Sequence, residues 1–100
     1  MIDFRPLIAS DLETLRSWFA DAELSRRLSY PTVEWFSYVT GTDAARCWIA
    51  VRQSEAIAQL QVDHHPGEPA YLDIAIRPDL RGKGLGRAVL SAFLDGPGKA

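Results

Sequence analysis

The residues best suited to chemistry lie between Arg81 and Arg87, in the run Arg-Gly-Lys-Gly-Leu-Gly-Arg. Glycines occupy every second position here, and without Cβ atoms successive backbone N–H groups can converge on one anion. Arg81, Lys83 and Arg87 add positive charge at the same place, in a chain whose formal net charge is −2. The run therefore predicts a binding site for a polyanion such as a diphosphate, built on Gly82, Gly84 and Gly86.

Two common nucleotide-binding motifs do not match this run. A P-loop needs a Ser or Thr directly after Gly-Lys to hold Mg²⁺, whereas here Gly84 follows Gly82 and Lys83. The dinucleotide fingerprint Gly-x-Gly-x-x-Gly places its third glycine three positions after the second, whereas Gly86 follows Gly84 by two. The spacing therefore favours a phosphate ligand of another kind.

The elements on either side of the run position it. Upstream, apolar residues recur at every second position of a predicted strand, at Leu72, Ile74 and Ile76. Downstream, apolar residues recur at helical spacing from Leu85 to Phe93, until Gly96 ends the helix. The N-terminus of a helix carries unpaired amides and a partial positive charge. A strand–loop–helix unit therefore directs the loop amides and the positive helix end at the same anion.

The N-terminal part of the chain predicts one strand and two helices. A short strand begins at Ile2, and a helix follows from Ser10, where Glu13 completes a Ser-x-x-Glu capping box. A second helix is predicted from Thr32 to near Gly41, where glycine favours termination.

The pattern then changes to strands. The apolar run from Cys47 to Val51 is rich in strand formers. The segment from Ala58 to Val62 alternates apolar residues with glutamines, which predicts a half-buried strand. A hairpin turn at Gln53-Ser54-Glu55 joins the two. The order of elements predicts an α/β (α+β) domain over residues 1–100, with a mixed, mostly antiparallel central sheet and helices on both faces.

Composition argues against several classes of protein. Apolar residues make up 47% and charged residues 24% of the sequence, as in ordinary globular domains. The net charge offers no basic excess for general nucleic-acid binding. Cys47 is a single cysteine, and no stretch approaches the ~18 apolar residues of a membrane span. The adjacent His64 and His65 lack a suitably spaced third ligand, so no metal is expected. We therefore expect a cytoplasmic protein without nucleic-acid or membrane partners.

The glycine run also resembles a known family motif. Arg81, Gly84 and Gly86 form Arg-x-x-Gly-x-Gly, which resembles the pyrophosphate loop of the GNAT superfamily of N-acetyltransferases. The preceding Ile76-Arg77-Pro78 is similar to that family's strand exit, and the resemblance extends over nearly the whole chain. The sequences of Leu72–Ile76 and of Trp48–Ala50 are similar to those found in the branch of aminoglycoside and ribosomal-protein acetyltransferases.

The resemblance implies an acetyl-CoA site and an acyl transfer reaction. In the family, backbone groups at positions corresponding to Ile74 and Ile76 pair with the pantetheine arm. The diphosphate would bind at Arg81, Gly82, Lys83, Gly84, Gly86 and Arg87. The expected function is acetyl transfer from acetyl-CoA to a primary amine of a small molecule or peptide by direct attack. The alternative is a non-catalytic CoA-binding remnant or an interaction module.

Asp73 is the expected general base of such a reaction. It lies eight residues before Arg81, at a spacing where this branch often carries an acidic residue, and strand alternation turns it away from Ile74. The alternative is a structural aspartate bound to backbone or to an arginine. Relatives continue beyond the cofactor helix with further strands and a helix. We therefore expect either that this C-terminal part of the family's domain is missing or that a second copy completes the sheet in a homodimer.

Overall fold

The structure is a computed structural model, and it describes residues 2–27 and 31–97 of the chain. Within these residues four strands and four α-helices follow one another, with a short 3₁₀ turn at Pro78–Leu80. In chain order the elements are β1 (Asp3–Pro6), α1 (Asp11–Trp18), α2 (Ala22–Arg27), α3 (Val33–Gly41), β2 (Ala45–Arg52), β3 (Glu55–Asp63), β4 (Tyr71–Ile76) and α4 (Leu85–Asp95).

The four strands form one sheet in the order β1-β2-β3-β4, and every neighbouring pair is antiparallel. Leu60 at the centre of β3 lies opposite Trp48 of β2 and Ile74 of β4. The predicted α/β fold class is confirmed. Among the described strands β4 pairs only with β3, so β4 forms an edge of the sheet beside the glycine run.

Apolar side chains cover both faces of the sheet. On one face α4 contributes Leu85, Val89 and Phe93 to a buried cluster with Leu60. On the other face α1, α2 and α3 cover a second cluster, whose buried members are Leu7, Leu15, Trp18, Leu24, Val39, Ala45, Cys47, Ile49 and Ala75. The sheet is therefore the middle layer between α4 and the three N-terminal helices.

The alternating glutamines predicted that β3 would be half-buried, and this prediction is wrong because helices cover both faces of the sheet. Gln59 is buried under the N-terminal helices, with only 7% of its surface exposed. Its side-chain amide donates to the Cys47 sulfur at 3.0 Å, so the buried polar group has a partner. Burial raises the pKa of the Cys47 thiol to about 12, which keeps it protonated and unreactive.

A β-bulge distorts β3 near its start. Ala50 lies opposite Ala58 and Val51 lies opposite Ala56, which leaves Ile57 without a counterpart on β2. As a result Ile57 and Ala58 both pack into the cluster under α4. Arg77, the first residue after β4, donates its backbone N–H to the Ile57 carbonyl at 2.9 Å, so the bulge also holds the start of the loop.

Two sequence predictions about the N-terminal helices are wrong. A third helix, α2, lies between the two that were expected; its six residues are too few to produce a periodic signal. The Ser10 capping box does not form, because Ser10 has helical backbone angles and its side chain makes no capping bond. Asp11 accepts the Ile8 N–H at 2.9 Å and two bonds of 2.8 Å from Arg5 instead.

The hairpin between β2 and β3 turns within two residues. Gln53 and Ser54 both have positive φ angles, 53° and 66°. This is the left-handed conformation of a tight two-residue hairpin, where Asn-Gly is the favoured pair. The turn is therefore formed by residues that adopt this conformation at some cost. None of the described helices has the length and apolar character needed to cross a membrane.

Candidate functional site

The glycine run connects the edge strand to α4 through a loop with two left-handed residues. Gly82 and Gly84 have φ angles of +81° and +72°, and Gly84 is the N-cap of α4. A Cβ added at either position would meet no atom within 4 Å. These glycines are therefore required by their backbone angles, and the space beside them is open to a ligand.

The N-terminus of α4 has the properties of an anion site. Its Gly84 cap offers no side chain to the amides of the first turn, and that turn contains no acidic residue. The helix runs for 11 residues, so its dipole is aligned over three turns. The uncapped amides and the dipole both favour a negatively charged group at this end.

Lys83 and Arg87 supply free positive charge beside this helix end. Both residues are exposed, and within residues 2–27 and 31–97 neither forms a salt bridge. Cations of this kind can turn toward a bound phosphate without first breaking another pair.

Arg81 is differently placed from the other two cations. Its Nη2 lies 2.8 Å from a carboxylate oxygen of Asp21, and its Nη1 lies 2.9 Å from one of Glu23. The hydrogen bond from Arg81 lowers the pKa of Asp21, and the same contact raises the pKa of the Arg81 guanidinium. The side chain predicted to bind phosphate is therefore held by the start of α2. Sequence reasoning missed this partner because α2 itself was not predicted.

A cleft of about 330 Å³ lies between the end of β4, the glycine run and the start of α2. It is lined by Glu23, Leu24, Ile74, Ile76, Arg81 and Gly86. The cleft thus brings together the predicted strand residues, the glycine run and the start of α2. A Cβ added at Gly86 would lie 3.9 Å from Cγ1 of Ile76, so α4 begins in close contact with the end of β4.

Asp73 lies on the opposite face of β4 from the two isoleucines. Its cross-strand neighbour is Gln61, which accepts a bond of 2.9 Å from Trp35 Nε1 and donates to both oxygens of Asp63. Asp73 itself is exposed, and the described part of the chain supplies it with no hydrogen-bond or ion-pair partner. Its carboxylate is therefore available to solvent and to a ligand at this face.

Comparison with family models identifies the family of this chain. The model of the acetyltransferase (GNAT) family matches residues 12–95, which include the last three strands, the glycine run and α4. The chain belongs to the GNAT family. Comparison with curated proteins gives no significant match.

Solved GNAT structures share the fold. The spermidine N-acetyltransferase SpeG chimera from Vibrio cholerae and hSSAT superposes with a TM-score of 0.74 at 21% identity, over 94% of this chain and 60% of that chain. The aminoglycoside acetyltransferase AAC(6')-Ib, in complex with coenzyme A and kanamycin, gives 0.69 at 21% identity, over 97% of this chain and 69% of that chain.

A third structure extends the comparison to a protein acetyltransferase. The ribosomal-protein-S18-alanine N-acetyltransferase from Escherichia coli superposes with a TM-score of 0.61 at 23% identity, over 95% of this chain and 58% of that chain. This GNAT chain therefore spans between 58% and 69% of the three structures. Similarity at these identities establishes a shared fold.

Proposed function

We propose that the chain forms the acetyl-CoA-binding part of an N-acetyltransferase that acts on a primary amine. The observation that carries this proposal is the uncapped N-terminus of α4, preceded by Gly82 and Gly84 at positive φ and by an edge strand. Membership of the GNAT family supports it, because acyl transfer is the family's chemistry.

The loop residues would hold the diphosphate of the cofactor. The N–H groups of the run from Gly82 to Arg87 would donate to its oxygens, in the open space beside Gly82 and Gly84. The exposed Lys83 and Arg87 would add charge-assisted bonds. The pantetheine arm would lie along the cleft, beside Ile74 and Ile76.

Acetyl-CoA would supply the thioester whose acetyl group is transferred to the acceptor. The acceptor amine attacks only when it is neutral, so a base must remove a proton from its ammonium form. Asp73 is exposed on β4, the strand that also lines the cleft, and is our candidate for that base. Holding both reactants beside one strand would contribute to the rate by proximity.

A ligand panel tests the proposal. Acetyl-CoA should raise the melting temperature, since a ligand that binds only the folded state stabilises it, whereas ATP and NAD should not. A melting temperature unmoved by acetyl-CoA would contradict the proposal. Release of free thiol should then be measured with a panel of primary amines. Stabilisation without turnover on any amine would favour the alternative, a CoA-binding module that does not catalyse.

A further inference from the structure

The side chain of Arg81 bridges the glycine run and α2. Its Nη2 binds Asp21 at 2.8 Å, and its Nη1 binds Glu23 at 2.9 Å and the second oxygen of Asp21 at 3.3 Å. Asp21 also accepts the Leu24 N–H at 3.1 Å, so it caps α2 while it binds the guanidinium. The arginine and both carboxylates are thereby held together beside the cleft, which Glu23 and Arg81 line.

A bound diphosphate would compete with these two carboxylates for the guanidinium of Arg81. With Asp21 on both terminal nitrogens and Glu23 on Nη1, Arg81 cannot present its planar fork to a phosphate without releasing at least Asp21. The pairs are weak enough to exchange, because the Arg81 side chain is 37% exposed and exposed ion pairs contribute little. The carboxylates also place negative charge beside the site where the diphosphate would bind.

We propose that Asp21 and Glu23 restrain Arg81 and thereby weaken the binding of coenzyme A at the glycine run. This inference rests on the proposed function. Exchange of Arg81 between the α2 carboxylates and the diphosphate would keep the affinity moderate. A moderate affinity favours release of the product coenzyme, a step that limits many enzymes.

Isothermal titration with coenzyme A tests the inference, because it shows whether the affinity rises or falls when the carboxylates are removed. Asp21→Asn/Glu23→Gln should bind coenzyme A about threefold to tenfold more tightly than the wild type, since two exposed ion pairs together correspond to roughly this range. Asn remains a good helix cap at position 21, so α2 should stay formed. Unchanged or weaker binding by the double variant would overturn the inference, because a purely structural bridge predicts a loss.

Matched single variants separate this effect from a change in net charge. Glu23→Gln should tighten binding, whereas Glu68→Gln should not. Glu68 is exposed and precedes β4, whereas the glycine run follows the other end of that strand. In the unliganded protein Glu23→Gln should leave the melting temperature equal or slightly lower, yet it should enlarge the shift caused by coenzyme A. Equal tightening in both variants would contradict the inference.

The Arg81→Gln background identifies the residue that mediates the effect. There the Asp21→Asn/Glu23→Gln pair should change the affinity for coenzyme A by less than about twofold, because no guanidinium remains to be released. Full tightening in that background would mean that the carboxylates repel the ligand directly, and would overturn the role of Arg81. Failure of the wild type to bind coenzyme A would reject the proposed function itself, whereas binding with unchanged variants would reject only this inference.

Discussion

Gly86 lies against Ile76 such that an added Cβ would sit 3.9 Å from the Cγ1 atom of the isoleucine, an ordinary contact distance. Its backbone is helical, unlike that of Gly84, where φ is +72°. We therefore expect the two glycines to respond differently to alanine. Gly84→Ala should lower the free energy of unfolding by about 1–2 kcal/mol, the cost of a left-handed residue with a Cβ. Gly86→Ala should leave it unchanged or raise it by up to about 1 kcal/mol, because alanine is the better helix former.

Urea unfolding of the two variants measures this difference. Equal destabilisation by both substitutions would contradict the account of the loop, since it would mean that Gly86 is also constrained by its backbone. Titration with coenzyme A should give the same order, with the larger loss of affinity at Gly84.

The free cations of the loop should contribute to cofactor affinity. Lys83→Gln and Arg87→Gln should each weaken coenzyme A binding by about threefold to tenfold, with a loss that shrinks as salt is raised. Arg46→Gln is the matched control, because Arg46 is exposed at the start of β2, which lies at the opposite end of the sheet from the loop. Calorimetry at two ionic strengths measures these effects. A loss of equal size in the Arg46 variant would show that only net charge matters.

Asp73→Asn should separate turnover from binding. If Asp73 removes the proton from the acceptor, the variant should lower kcat by about 100-fold or more while the Kd for coenzyme A is unchanged. Asp63→Asn is the matched control, since Asp63 lies on the same face of the sheet and is held by Gln61. Thiol release with an active amine measures kcat. Undiminished turnover of the Asp73 variant would remove that residue from the mechanism.

The hairpin turn offers a stability prediction independent of the site. Ser54 has a φ of 66°. Ser54→Gly should therefore raise the free energy of unfolding by about 1 kcal/mol, because glycine adopts the left-handed conformation without the steric cost of a Cβ atom. Ser37→Gly serves as the control and should lower it by several tenths of a kcal/mol, because Ser37 is exposed in the middle of α3, where glycine is a poor helix former. Chemical unfolding of both variants checks the opposite signs. A loss of stability at position 54 would contradict the turn conformation.

The Arg5–Asp11 pair should make stability depend on acid pH. Burial pushes the pKa of Asp11 up, but hydrogen bonds from Arg5 and from the Ile8 amide outweigh it and leave the pKa below its ordinary value. A carboxyl whose pKa is lowered in the folded state contributes stability above its unfolded pKa, about 3.9, and that contribution is lost as pH falls through the folded value.

Melting curves between neutral pH and pH 3 test this coupling. The wild type should lose more stability than Asp11→Asn over the acid range, because the variant lacks the titrating group. At neutral pH the variant should be less stable by about 1–3 kcal/mol, since the Arg5 bonds and the Ile8 amide lose a charged acceptor. If the stability of the two proteins fell equally with pH, this would contradict a lowered pKa of Asp11 in the folded state.

The sequence predicted the elements that have strong periodicity. The alternation at Leu72, Ile74 and Ile76 and the helical spacing from Leu85 to Phe93 correspond to β4 and α4 as observed. The glycine spacing predicted a loop whose conformation now rests on the positive φ angles of Gly82 and Gly84. These features are local, so the sequence carries them directly.

Features that depend on contacts distant in sequence were not predictable. The helix α2 is too short for a periodic signal, and Asp21 meets Arg81 across sixty positions of sequence. Ser10 fits the capping pattern, but Arg5 and the Ile8 amide favour the neighbouring Asp11 instead. The burial of Gln59 follows from the packing of three helices over one face, which alternation within a single strand cannot report.

Amide chemical shifts test the central claim most directly, because they report on the glycine run itself. In a ¹⁵N-labelled sample, coenzyme A should move the backbone amide resonances of Gly82, Gly84 and Gly86 together, at one affinity. Pantetheine, which lacks the diphosphate, should leave the resonances of Gly82 and Gly84 where they are, although it can move that of Gly86, which lines the cleft proposed for the pantetheine arm. Shifts confined to other parts of the chain, or an equal response to pantetheine, would contradict a diphosphate site at the N-terminus of α4.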